Sequence, residues 1–147
     1  MTTVAELLRS KADSNAVHAI APAVSAFDAV RLMADKNVGA LLVRDGEEII
    51  GIFTERDYAR KVGSMARSPG DTAVREVMSS PVMYVRPDQS SEECMALMTE
   101  NRLRHLPVMD GDRLIGLISI GDLVKGIISE QRFLIEQLEH YITGSRD

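Results

Sequence analysis

The stretch NVGALLVRDGEEIIGIFTERDYARKV, residues 37–62, holds two apolar runs joined at Asp45–Gly46 and closed by Thr54, three positions ahead of Asp57. The runs 39–43 and 48–53 read as strands. An Asp-Gly pair between them predicts a two-residue hairpin of type I′, because it tolerates the positive φ such a turn needs. NRLRHLPVMDGDRLIGLISIGDLVKGI, residues 101–127, has the same plan. Its runs 105–109 and 113–118 flank Asp110–Gly111, and Ser119 stands three positions ahead of Asp122. Shifting the chain by 65 residues aligns 17–61 with 82–126 without a gap, and 12 of 45 positions are identical. Upstream, VAELL at 4–8 pairs with VREVM at 74–78 at a shift of 70, so the first copy carries five extra residues near 11–15. A repeat of this length is a supersecondary unit that leaves one apolar face uncovered. Two copies facing each other through a pseudo-twofold axis cover it.

Working outward, Ser25 and Ser90 read as helix N-caps, with Asp28 and Glu93 completing capping boxes. The helices run to about Asp35 and Glu100. A short strand at 17–20 and at 82–85 precedes each helix and ends at Pro22 or Pro87. Each copy is therefore β-α-β-β-α, and the fold class is α/β in the broad sense, α+β in detail. The chain divides into a first copy at 1–63, a linker at 64–72, a second copy at 73–128 and a helical extension at 129–147. Ser68, Pro69 and Gly70 break structure in the linker, where Asp71 or Thr72 is placed to cap the next helix. From Asp122 to about Ile142, Leu123, Ile127, Leu134, Leu138 and Tyr141 recur at spacings of three, four or seven, and Gly144 is a stop. This stripe outruns the repeat. It needs a partner, either across the pair or in a dimer.

Composition narrows the function. The 22 acidic and 17 basic residues leave a net charge of −5, which disfavours non-specific binding to nucleic acid or an anionic membrane. No apolar run approaches a membrane span, and the N-terminus has no signal-peptide core. The chain reads as a soluble cytoplasmic protein. With three Phe, three Tyr and no Trp, aliphatic residues and Met must build the core. The single cysteine, Cys94, excludes an internal disulfide and sits at an apolar helix position, as a buried inert thiol does. The histidines at 18, 105 and 140 lack metal-ligand spacing, so no metal is expected. Neither a Gly-x-Gly-x-x-Gly nor a Walker loop is present, and no catalytic triad or acid pair can be argued. An enzyme is not indicated.

The two quoted stretches resemble CBS domains, and residues 4–128 together resemble a tandem CBS pair, or Bateman module. TERDYARK, MTENRLRHLPV and SIGDLV are further similar to small stand-alone CBS-pair proteins of bacteria and plant organelles. The resemblance implies a regulatory module that binds adenosine-containing ligands between its two copies, with AMP or NAD(H) favoured as bound ligand rather than catalytic cofactor. It also implies a homodimer acting on an unknown target protein. In the family the hydroxyl residue at this strand end touches phosphate or ribose and the aspartate holds the ribose. Thr54 with Asp57, and Ser119 with Asp122, match those positions.

The same residues read from chemistry alone leave two possibilities open. Thr54/Asp57 and Ser119/Asp122 make capping boxes. They also place a carboxylate and free N–H groups where a ribose diol and an anion would bind. Arg56 can fork onto phosphate, whereas its counterpart Gly121 cannot, so the clefts are expected to be unequal. Arg104 and His105 replace Gly39 and Ala40, and the resemblance, not the chemistry alone, implies that basic residues there reach a phosphate. Their plain alternatives are a solvated charge and a strand-end imidazole with a backbone partner. The adenine is assigned to Val17, His18 and Ile20 in one copy and Val82, Met83 and Val85 in the other, beside free backbone edges. Three functions remain: a nucleotide-sensing module, a ligand-free interaction or structural dimer module, and a binder of an unrelated metabolite.

Overall fold

The computed structural model describes residues 2–11 and 17–143. In chain order these form α1 (Val4–Ser10), β1 (Ala19–Ile20), α2 (Ala26–Lys36), β2 (Ala40–Asp45), β3 (Glu48–Thr54), α3 (Glu55–Asp57), α4 (Ser91–Asn101), β4 (His105–Asp110), β5 (Arg113–Ser119) and α5 (Ile120–Ile142). The architecture is the expected mixed α+β pair of repeats with a long C-terminal helix. The extra residues expected near 11–15 and the stop at Gly144 lie, apart from Lys11, outside the described residues. Among the described residues no helix is long and apolar enough to cross a membrane.

Two compact units form, one from Val17–Met83 and the other from the described residues of Met1–Ala16 and Tyr84–Asp147. Packing thus cuts the chain differently from the sequence repeat at 1–63 and 73–128. Val4, Leu7 and Leu8 of α1 are buried with Met98, Leu106 and Ile118, which belong to the second repeat. Val74 and Val77, which open the second repeat, are buried with Met33, Leu41 and Phe53 of the first. The leading segments have been exchanged, and the pairing of VAELL with VREVM is the sequence trace of that exchange. Glycines make room for it. A Cβ on Gly116 would lie 2.6 Å from Leu8 Cδ2, and one on Gly51 would overlap the Met78 sulfur.

In the Val17–Met83 unit the sheet order is β1-β2-β3, with β1 parallel and β3 antiparallel to β2. The other unit holds the β4-β5 hairpin. Here the structure corrects the strand expected at 82–85: only Val85 bridges to Val108. The reason is chemical. In the first copy Leu42 N–H donates to His18 O at 3.0 Å. The repeat puts Pro107 where Leu42 stands, and proline has no N–H to give.

The hairpin turns also differ from expectation. Asp45 pairs with Glu48 and Asp110 with Arg113, so the turn residues are Gly46–Glu47 and Gly111–Asp112. Of these only Gly46 and Gly111 have positive φ, at 66° and 63°. Glycine leading the turn with one positive φ matches type II′ rather than I′. Ser90 and Glu93 form the reciprocal capping box, whereas at Ser25 only the hydroxyl half forms and Asp28 stays in solvent. Neither Asp71 nor Thr72 caps a following helix. Thr72 Oγ1 donates back to Ser68 O at 2.7 Å, and Val74–Glu76 makes a single 3-10 turn. Cys94 is fully buried, and burial pushes its thiol up to about 11.

Candidate functional site

Each unit ends its hairpin in a corner where a strand turns directly into a helix. In the Val17–Met83 unit, Thr54 closes β3 opposite Ala40, and Glu55 N–H donates to Gly39 O at 3.1 Å. Because β1 and β2 run parallel and β3 returns, residues 17–18, 39–40 and 54–57 share one end of the sheet. Thr54 Oγ1 accepts from Asp57 N–H at 3.0 Å, and Asp57 Oδ2 accepts from Thr54 N–H at 3.1 Å. The other carboxylate oxygen is also engaged: Oδ1 accepts from Ser79 Oγ at 3.0 Å and lies 3.3 Å from Lys61 Nζ. Asp57 is only 7% exposed. Arg56 is half-buried, and its guanidinium has no ion pair among the described residues.

The second corner repeats this geometry with different neighbours. Ser119 closes β5 opposite His105, and Ile120 N–H donates to Arg104 O at 2.9 Å. Ser119 Oγ accepts from Asp122 N–H at 3.1 Å, and Asp122 Oδ2 accepts from Ser119 N–H at 2.8 Å. The same oxygen takes Lys11 Nζ at 2.7 Å, and Lys11 also donates to Leu117 O at 2.9 Å. Asp122 Oδ1 has no partner among the described residues. Burial alone would raise the Asp122 carboxyl, but the hydrogen bonds from Lys11 and Ser119 and the Lys11 charge hold it below the usual range. His105 is held down by burial; Asp122 pulls the other way, and Lys11 and Arg104 add to the lowering. Its Nδ1 is buried without a partner among the described residues, so no backbone partner of the plain reading is seen on that nitrogen there.

The structure gathers Thr54, Arg56, Asp57, Val17 and His18 at one sheet end, and Arg104, His105, Ser119 and Asp122 at the other unit's corner. The residues assigned to the adenine are placed as follows. Ile20 packs on the core of its unit. Val85 is fully buried, with N–H and carbonyl engaged by Pro107 and Met109, so its backbone offers no free edge. Val82 and Met83 belong to the unit that contains Val17, apart from Val85. Sequence reading missed Lys11 and Ser79. Their signal was weak but present, since both lie in or beside the leading segments VAELL and VREVM.

Chemically, each corner offers a carboxylate acceptor and a hydroxyl at the start of a helix, next to a cation: Arg56 in one, Lys11 with Arg104 in the other. Such a set suits a vicinal diol and an anion.

A paired-repeat module with two related corners is therefore the class that fold and site define. The CBS domain family model matches residues 3–64 and 74–129, and the chain belongs to that family. A CBS domain pair is generally a regulatory module that binds adenosine ligands. The mitochondrial CBS domain-containing protein CBSX3 of Arabidopsis thaliana is 38% identical over 151 residues, covering 97% of this chain and 73% of that protein. The solved structure of a protein with CBS domains from Burkholderia ambifaria is 56% identical with a TM-score of 0.85, covering 88% of this chain and 96% of that one. A hexameric CBS-CP12 protein from bloom-forming cyanobacteria is 30% identical with a TM-score of 0.75, covering 84% and 70%.

Proposed function

We propose that this protein is a nucleotide-sensing regulatory module that binds adenosine-containing ligands, AMP or NAD(H) by preference, and passes their occupancy to a target protein. It acts as a homodimer, without catalysis of its own, in the cytoplasm. The observation that carries the reading is the recurrence of one hydroxyl–carboxylate corner in both repeats, Thr54/Asp57 and Ser119/Asp122, beside a cation in each. In this reading each aspartate accepts from a ribose diol. Arg56 in one corner, and Arg104 with His105 in the other, face the phosphate.

Isothermal titration with AMP, ADP, ATP, NAD, NADH and GMP, on protein freed of carried-over ligand, tests it. Adenine ligands should bind and GMP should bind more weakly. Removing a charged acceptor should weaken a ribose ligand by about 2 kcal/mol, roughly thirtyfold. Asp57→Asn and Asp122→Asn each remove one class of site and leave the other. Absence of heat from every adenine ligand at about 1 mM, some 4 kcal/mol of binding, overturns the proposal.

A second reading, a ligand-free interaction module, is favoured by one feature. Both aspartates already serve as caps, and Asp57 has both oxygens engaged inside its own unit. Unchanged binding in both asparagine variants would decide for it. Cell fractionation tests the compartment, since the Arabidopsis relative is named as mitochondrial.

A further inference from the structure

The leading part of each repeat donates a hydrogen bond to the aspartate of the other repeat's corner, and the two donors differ in charge. At Asp57 the donor is the neutral hydroxyl of Ser79, and at Asp122 it is the ammonium of Lys11. Three further facts bear on Lys11. Its ammonium is fixed rather than waving in solvent: two of its three donors are committed, to Asp122 Oδ2 and Leu117 O, and its side chain is 20% exposed. The third donor has no partner among the described residues. Among the described residues Asp122 Oδ1 is also unused, because Lys11 and Ser119 both use Oδ2. Finally, Gly121 stands where Arg56 does, so the cation that the first corner carries on its helix is missing from the second helix.

We infer that Lys11 is a specificity residue of the Asp122 corner. Beside Arg104, it supplies a fixed cation that strengthens this corner's preference for a phosphorylated nucleoside over the bare nucleoside, while Asp122 Oδ1 takes the ribose hydroxyls. The inference rests on the ribose-binding role proposed for Asp122. Lys11 lies outside the repeat-aligned stretch, at the edge of the five-residue insertion that the second copy lacks. The preference therefore belongs to one corner only. A lysine acts here as a point charge, so arginine is the substitution that should retain the effect.

The experiment titrates AMP and adenosine into the full chain and into Lys11→Gln, Lys11→Arg and Asp122→Asn, with melting curves recorded without ligand. For Lys11→Gln, AMP affinity at one class of site should fall about tenfold and adenosine affinity should stay within about twofold. Lys11→Arg should restore AMP binding. An equal change for both ligands, or none for either, overturns the inference while Asp122→Asn still abolishes binding at that corner. If Asp122→Asn binds like the parent, the ribose reading itself fails and the inference with it. If Lys11→Gln does not fold, the parent protein answers alone. Raising KCl should weaken AMP and spare adenosine at that class of site, and equal salt dependence overturns the inference.

Discussion

Burial acts differently on the two titratable groups of the second corner, and His105 gives the sharper test. Desolvation lowers its folded pKa below that of the unfolded chain. The unfolded state then binds more protons than the folded state between the two values. Stability is therefore complete above about pH 6.5 and falls as pH drops below the unfolded value. We expect the melting temperature of the parent protein to decline from pH 7 to 5.5, and that of His105→Gln to decline less over the same interval. A parallel decline in both would remove His105 as the source. Asp122 has a depressed pKa, so its contribution is present above the usual carboxylate range and disappears in stronger acid. The two groups are separable by pH window. At this scale the hydroxyl–carboxylate spacing was legible in sequence, because a three-residue separation across a helix start is local. Which further donors the two carboxylates meet was not, because Ser79 and Lys11 arrive from 22 and 111 positions away.

Helix ends and strand crossings define the next scale. Both α2 and α4 stop on a left-handed residue, Asn37 at φ 55° and Arg102 at φ 56°. Asparagine tolerates this conformation and arginine does not. Arg102→Gly should raise stability by about 0.5–1 kcal/mol, read as a higher urea midpoint with unchanged slope. Gly51 and Gly116 are a matched pair at the sites where Met78 and Leu8 cross the hairpins. Gly116→Ala should destabilise by about 1–3 kcal/mol through overpacking, and shortening Leu8 in the same chain should recover part of that loss. Additive losses in the double variant would show that the exchanged segment does not pack as described. The element plan itself was readable from capping residues, turn glycines and period-two runs. The strand at 82–85 was misjudged because hydrophobicity alone does not reveal that the neighbouring donor is Pro107.

At the scale of the whole molecule, the 23-residue α5 is the element that reaches beyond its own unit's core. Leu123 is buried at its start, but Leu134, Leu138 and Tyr141 are 53, 60 and 81% exposed. The helix spans about 34 Å, and its later turns pass beyond the core that holds Leu123. The expected stripe is thus present, and its outer part is uncovered among the described residues of one chain. Burying a side chain of this size is worth about 1.5–3 kcal/mol, enough for a few of them to hold two chains together. Sedimentation equilibrium should give about twice the 16.2 kDa chain mass at micromolar concentration. Deleting residues 129–147 should shift that mass toward the monomer. A monomeric parent, or an undisturbed dimer after deletion, would exclude this face as the contact.

Taken alone, the sequence established a duplicated β-α-β-β-α unit, because the signals for repeats, caps and turns are local and survive without knowledge of neighbours. It also identified Thr54, Asp57, Ser119 and Asp122 as paired corners, because duplication marks them twice. Only the tertiary structure decided that the leading segments are exchanged between the packing units. An apolar face such as Val4, Leu7 and Leu8 records that it must be buried but not against which of two similar sheets. Only the tertiary structure set the charge around each aspartate, since Lys11 reaches Asp122 through chain folding rather than through any local pattern.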